Sequence, residues 1–450
     1  MKSILILGAG MVSKPIVTHL LNKGFRVTLG DIDVDKAQKV INNNPNGKAI
    51  AFNVKDETLL DQLVQKHDIV VSLLPWMFHP KVARCCLAHK RNMVTTSYVK
   101  PEMQALDEKA KEAGILFLNE LGLDPGIDHM SAMRIIDHVH SNGGKVEEFY
   151  SFCGALVAPE VEQNPFNYKF TWAPKGVMLA GNNDGKYLRN ESVIEVPTED
   201  LFKNPTKVFC SEVGELEVYP NRDSLPYIDL YGIPEVKTMM RGTFRYTKWC
   251  EVLDAMKRLN LLSCDKIDLK DLTLADMIAK LIGEKGSENI KQATAQFLGI
   301  SPKSNPIIAM EWLGLFSQTP INRNEDSPFE VVSDIMIDKM MISDEERDMI
   351  VMQHTLLASY PNGKREVIRS RMLDFGTLKT DTSIARTVAL PAAVGAEMIL
   401  NNKISAKGVH IPVIPEIYNP ILDELENLGI MMEEEFGLSE SENITLSIAS

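Results

Sequence analysis

"SILILGAGMVS", residues 3–13, decides how the first part of the chain is read. Residues 3–7 form a short apolar run. Two glycines follow, Gly8 and Gly10, and then Ile16, Val17, Leu20 and Leu21 recur at helical spacing until Gly24. A buried strand, a glycine turn and a helix in that order make a phosphate-binding loop. Gly8 and Gly10 let the backbone turn tightly and approach a pyrophosphate, which then sits on the positive end of the helix. The third glycine position holds Ser13, small enough for close helix–strand packing. The competing reading is a tight turn in an α/β fold that binds nothing.

Outward from this loop the same alternation repeats. Strands are expected at 25–29, 48–52, 68–74, 92–96 and 115–118, and helices near 33–41, 57–66, 80–90 and 102–113. Alternating strands and helices with β-branched strands predict a Rossmann-type doubly wound parallel sheet. Asp31 ends the second strand, where an acid is expected to accept hydrogen bonds from a ribose. A carboxylate there suits the free 2′-hydroxyl of NAD and repels the 2′-phosphate of NADP. No Arg lies between residues 27 and 40. The cofactor is therefore expected to be NAD(P), with NAD favoured by Asp31. Asp33 and Asp35 are read as caps of the next helix.

After residue 140 the alternation stops. "VEEFYSFCGALV" (146–157) reads as a strand leaving for another domain. "KFTWAPKGVM" (169–178) and the run 219–249 read as strands and binding loops. Residues 251–345 are mostly helical by pattern. A hairpin is expected over 346–376, and helices over 382–401 and 416–432. The chain is thus divided into a dinucleotide-binding domain (1–125, with 426–450 expected to pack back on it), an α+β substrate and dimerisation domain (126–250 and 346–425), and a helical insert (251–345).

Composition narrows the function. The 450 residues leave ample core for two or three domains. The net charge of −13 argues against a nucleic-acid partner, which needs a basic face. The six cysteines include no CxxC pair, so free thiols in a reducing cytoplasm are expected. No uninterrupted apolar run approaches membrane-span length, and no signal peptide or membrane association is expected.

A second stretch, "LNELGLDPGIDHM" (118–130), ends an apolar strand on a crowd of ionisable groups. With Pro125 at the first position of a helix near 126–140, Asp124 reads as its N-cap. Asp128, in the first turn, is favoured by the helix dipole. A metal site is not expected, because "DPGIDH" has adjacent ligands rather than the spacing of a closed shell.

"NELGLDPGIDHM", "NPFNYKFTWAPKGV", "YPNRDS" and "RGTFRY" together resemble saccharopine dehydrogenase of the L-glutamate-forming type. So do "SLLPWMFHP", "TTSYVKPEM", "TVALPAAVGAEMIL" and "PVIPEIYNPIL". The resemblance spans essentially the whole chain and is weakest over 251–345. Ser13, Trp76 and Asp31 depart from the family pattern. Fungal members carry a basic residue near Asp31 that reads the 2′-phosphate.

The resemblance implies reversible oxidation of saccharopine, lysine joined through its side-chain nitrogen to glutamate. Hydride leaves the lysine side, and the resulting imine is hydrolysed to glutamate and 2-aminoadipate 6-semialdehyde. It implies cofactor contacts from Gly8, Gly10, Met11, Val12, Asp31, Asn53, Val54, Leu74, Thr96, Ser97, Leu123, Asp124 and Pro125. Substrate contacts are implied for Ser97, Tyr98, Asp124, Arg222, Thr243, Phe244 and Arg245. Both arginines are expected in turn-like loops, where planar guanidinium forks suit a substrate with three carboxylates. Asp124, Tyr98 and Cys153 are the acid/base candidates, none of them decisive. Tyr98 also reads as a packed lid, Cys153 as a small core residue, and Asp124 as meeting the substrate amine while capping its helix. A homodimer is expected. The alternatives are a carboxyspermidine or carboxynorspermidine dehydrogenase, or a non-catalytic member of the same fold.

Overall fold

The computed structural model describes residues 1–447 and divides into two compact units. Unit 1 comprises Met1–Lys145, Tyr360–Lys364 and Ile368–Phe436. Unit 2 comprises Val146–Ser359, Arg365–Val367 and residues 437–447.

Unit 1 opens with β1 (Ser3–Leu7), α1 (Ser13–Asn22), β2 (Arg26–Asp31), α2 (Val34–Ile41), β3 (Gly47–Ala51), α3 (Glu57–Lys66) and β4 (Ile69–Ser72). Next come α4 (His79–Ala88), β5 (Asn92–Thr95), α5 (Pro101–Gln104), α6 (Asp107–Ala113), β6 (Leu116–Leu118) and α7 (Ile127–Ser141). The strands pair in parallel in the order β6-β5-β4-β1-β2-β3. Ile4, Leu5, Ile6 and Leu7 are fully buried, as strands covered on both faces must be. The winding reverses between β1 and β4, which opens a ligand crevice at their carboxyl ends. The helix expected over 102–113 is two short ones.

Unit 2 begins on β7 (Lys145–Val157), α8 (Pro174–Ala180), β8 (Gly185–Arg189), β9 (Ser192–Val196), β10 (Thr206–Cys210), β11 (Gly214–Pro220), α9 (Pro226–Leu230), β12 (Thr238–Tyr246) and α10 (Trp249–Arg258). It continues through β13 (Ile267–Asp268), α11 (Leu274–Ile282), α12 (Ile290–Leu298), α13 (Asn305–Leu313), β14 (Glu325–Asp326), α14 (Pro328–Met340), β15 (Asp348–Ser359) and the start of β16 (Arg365–Phe375). Its sheet runs β10-β11-β12-β7-β15, with β8 and β9 paired to the side of β12. Helices α10 to α14 fill the expected helical segment. α8 and α9 correct the reading of 169–178 and 219–249 as strand and loop. Each has a proline in its first turn, where the missing N–H costs nothing, and each is too short to show a helical period.

The chain then returns to unit 1 with α15 (Ser383–Leu400), β17 (Gly408–His410) and α16 (Pro415–Asn427), and closes with β18 (Glu433–Leu438). β17 pairs in parallel with β6 and extends the first sheet to seven strands. A Cβ at Gly395 of α15 would stand 2.2 Å from Leu121 Cδ2, so the glycine permits the close approach. His19 of α1 meets Glu397 of α15 at 3.0 Å, and Lys23 meets Glu424 of α16 at 2.7 Å. The boundaries at 125, 346 and 425 therefore move: α7, α15, β17 and α16 all belong to the nucleotide-fold unit. An amphipathic helix records that it needs cover, not which helix supplies it. α15 is a long apolar helix, though Arg386 and Glu397 interrupt it. By length and composition it is apolar enough to cross a membrane, and 78% of it is buried inside the fold, as in a core helix.

Candidate active site

The glycine loop of unit 1 is built for close approach. Gly8 has φ +109°, and a Cβ there would lie 3.1 Å from the carbonyl oxygen of Leu73. A Cβ at Gly10 would meet nothing within 4 Å, so protein packing does not require that glycine and the space beside it is open to a ligand. Buried Ser13 donates its hydroxyl to the Gly10 carbonyl at 2.7 Å and closes the loop where the third glycine is missing. No side chain caps α1, which leaves its first N–H groups for an anion. Asp31 accepts the Ala9 N–H at 2.6 Å through one oxygen and the Asp33 N–H at 2.9 Å through the other. Asp33 caps α2 as read. Met11, Ile32, Trp76 and Met77 follow β1, β2 and β4 and are exposed, an apolar border around the carboxyl edge. These features fit a dinucleotide: an open glycine loop, an uncapped helix and a fixed acid.

The remaining implied cofactor contacts divide by depth. Met11 and Asn53 are exposed, Val12 and Thr96 half-buried, Leu123 and Pro125 buried. Val54 lies in the apolar cluster beneath the sheet, with Leu74 packed against it.

Two buried histidines hold the loop after β5. His79 Nδ1 lies 3.0 Å from Ser72 Oγ, and its Nε2 lies 2.9 Å from Ser97 Oγ and 3.1 Å from Thr95 Oγ1. Burial pushes this imidazole down to about 4, so it is neutral at pH 7. Glu120 is the second anchor. Its Oε1 accepts the Val99 N–H at 2.8 Å, its Oε2 lies 2.9 Å from His129 Nε2, and its own N–H donates to Ser97 O at 3.1 Å. Between these anchors the Tyr98 hydroxyl donates to Asp124 Oδ1 at 3.3 Å. The structure thus brings Ser97, Tyr98 and Asp124 together. His79 and Glu120 were missed. Their signal was a histidine just past a strand's carboxyl end, in "FHP", and an acid inside "NELGLDP".

Asp124 is not the cap of α7. The N-cap is Gly126, at φ +146°, and its N–H donates to Asp128 Oδ1 at 2.6 Å. Asp124 precedes a cis peptide bond to Pro125 and stays half-buried beside Tyr98.

In unit 2 the alternation of β12 sorts the implied substrate residues. Arg241, Thr243 and Arg245 share one face, and Phe244 takes the other. The Phe244 ring is fully buried against Phe152, centroids 5.5 Å apart, which corrects its placement as a side-chain substrate contact. Cys153 and Tyr219 pair across from Thr243, on the polar face. Arg245 is not in a loop. It lies within the strand, 3% exposed, over the rings of Tyr168, Trp249 and Tyr219 at 5.0, 5.6 and 5.8 Å. Its Nη1 donates to the Phe244 carbonyl at 2.8 Å, while its Nε, the Tyr168 hydroxyl and the Trp249 indole N–H are buried without a hydrogen-bond partner among the described residues. It forms no ion pair among the described residues. The rings offset part of the desolvation of a permanent cation, and its unsatisfied Nε with the two unsatisfied groups around it suits a carboxylate. Arg222 does lie in a turn, exposed and at φ +57°, with no ion pair among the described residues. Tyr168, Trp249 and Arg241 went unread, because buried rings and buried binding groups look alike in one dimension.

Two family models match the chain: the saccharopine dehydrogenase NADP binding domain over residues 4–118 and the saccharopine dehydrogenase C-terminal domain over 122–430. A protein of Schizosaccharomyces pombe, saccharopine dehydrogenase [NADP(+), L-glutamate-forming], is 35% identical over 446 residues, covering 97% of this chain and 99% of the relative. The chain belongs to the saccharopine dehydrogenase family. A namesake from Saccharomyces cerevisiae is 34% identical, covering 96% of this chain and 99% of its own. The solved apo saccharopine dehydrogenase (L-Glu forming) from Saccharomyces cerevisiae superposes with a TM-score of 0.90 at 34% identity, over 97% of this chain and 100% of that one. For a saccharopine dehydrogenase, the Rossmann-type sheet, the glycine loop and the mixed-sheet unit are accounted for together.

Proposed function

We propose that this chain is an L-glutamate-forming saccharopine dehydrogenase that works with NAD in preference to NADP. The near-complete match to proteins of that name, at 35% identity to one of them, carries the reaction. The relatives are named for NADP(+). The preference for NAD rests on Asp31, held against the loop by Ala9 and followed by Ile32 rather than a cation.

The glycine loop, the N-terminus of α1 and Asp31 would hold the dinucleotide, whose nicotinamide would supply the acceptor for hydride from the lysine-side carbon. The chain's own groups bind and orient. Asp124 is assigned the substrate's cationic amine, with Tyr98 fixing the carboxylate through its hydroxyl. Ser97, held by His79, is assigned a substrate or cofactor oxygen. Arg222 and Arg245, with Thr243 beside the latter, are assigned the carboxylates. The buried Arg245 guanidinium, whose Nη1 bonds the Phe244 carbonyl while its Nε has no partner among the described residues, supports this, with two unsatisfied groups on the rings around it. Cys153, half-buried opposite Thr243, remains an acid/base candidate with Asp124 and Tyr98.

The test is absorbance at the reduced-nicotinamide band with saccharopine plus NAD, then plus NADP. Reduction that depends on saccharopine and releases glutamate is expected. No reduction with either cofactor overturns the reading.

A further inference from the structure

Helices α3 and α4 face each other along a ladder of polar side chains. On α3, Glu57 and Asp61 are one turn apart. On α4 and its C-cap, Lys81, Cys85 and His89 follow at the same spacing, so each set lines one side of its helix. Lys81 meets Glu57 at 2.9 Å and sets the register. One turn along, His89 Nε2 lies 2.7 Å from Asp61 Oδ1, and Cys85 Sγ lies 3.9 Å from that same oxygen. The three ligand atoms all fall within 4.8 Å of one another. Cys85 and His89 are half-buried, and Asp61 is exposed.

We infer that Asp61, Cys85 and His89 form a binding site for a borderline-soft divalent cation, zinc above all, which staples α3 to α4. The donor set is one thiolate, one imidazole and one carboxylate, the mixture zinc accepts. In a tetrahedral zinc site such donors stand roughly 3–4 Å apart, given metal–ligand bonds of about 2.0–2.3 Å. The separations here bracket that range, so side-chain rotation alone completes the triangle. The ion replaces the His89–Asp61 hydrogen bond. Three protein ligands leave a fourth position for water on the exposed side of Asp61. Charges balance, since a thiolate and a carboxylate neutralise the ion while Lys81 is already paired with Glu57.

Without the ion the Cys85 thiol keeps its proton and directs it at the Asp61 carboxylate. Binding therefore breaks the S–H bond, forms an S–metal bond and releases that proton to solvent. Cys86, next in the chain, is fully buried, and Cys264 lies outside the cluster.

The experiment uses the full-length, tag-free chain and cobalt(II) as the visible stand-in for zinc. One cobalt per chain is expected, with a thiolate-to-cobalt charge-transfer band that zinc abolishes and about one proton released per zinc at pH 8. Cys85→Ser should lose the band and weaken zinc binding at least about tenfold, and His89→Gln should weaken it similarly. Cys264→Ser should change neither. A wild-type protein without the band, or a band that survives Cys85→Ser or disappears in Cys264→Ser, overturns the inference. Where Cys85→Ser fails to fold, His89→Gln decides: a zinc affinity unchanged by that substitution overturns the inference.

Discussion

Asp31 and Ala9 are joined at 2.6 Å: the carboxylate that ends β2 accepts the N–H of the residue between the two loop glycines. The acid is thus fixed in place by the loop it helps to form. Its other oxygen holds Asp33, so the carboxylate is aimed before any ligand arrives.

That fixed carboxylate governs cofactor choice. Wild-type protein should use NAD better than NADP. Replacing Asp31 by Ser and Ile32 by Arg removes the repulsion and adds a phosphate donor, and should move the kcat/KM ratio toward NADP by at least about tenfold. A wild-type enzyme that already favours NADP tenfold defeats the argument.

Asp124 is not the N-cap of α7, and its carboxylate accepts the Tyr98 hydroxyl at 3.3 Å. Asp124→Asn should leave the melting temperature almost unchanged and cost catalysis heavily, because a neutral amide cannot replace the charge that meets a cationic amine. Activity within about threefold of wild type would remove Asp124 from the assignment.

The cap belongs to Gly126 and Asp128. A Cβ on Gly126 would stand 2.0 Å from the Gly122 carbonyl oxygen, at φ +146°. Gly126→Ala should therefore destabilise by more than about 4 kcal/mol. Asp128→Ala leaves a buried N–H unsatisfied and should cost about 1–3 kcal/mol. Urea unfolding measures both, and a wild-type midpoint for Gly126→Ala would refute the geometry.

His79 makes stability depend on pH. Its imidazole falls from 6.5 to about 4 on folding, so between those values the unfolded chain binds the extra proton. The contribution is complete above pH 6.5 and is lost as pH falls toward 4, by roughly 2 kcal/mol at pH 5. His79→Gln should be less stable at pH 7 and should lack this part of the slope. Identical slopes for both proteins between pH 7 and 5 would show that His79 is not the titrating group.

Arg222→Lys keeps the charge and loses the planar fork. The KM for saccharopine should rise about tenfold or more while cofactor affinity stays constant. Equal losses for substrate and cofactor would indicate a folding defect rather than a lost clamp.

By itself, the sequence determined the features that local chemistry writes at short range. The strand–glycine–helix order, the acid at residue 31, the alternation through β6, the hairpin of β15 and β16 and the span of α15 all follow from periodicity and turn residues within a few positions. Tertiary structure decided the rest. β17 joins β6 across the whole of unit 2, and α15 and α16 return to the first unit, because apolar faces are indifferent to which partner buries them. Strand alternation turned Phe244 into the core and Arg245 toward the rings of Tyr168 and Trp249. Asp124 lost the cap to Gly126, since capping depends on where a backbone N–H points, and that is settled only when the turn at Gly122 closes against it.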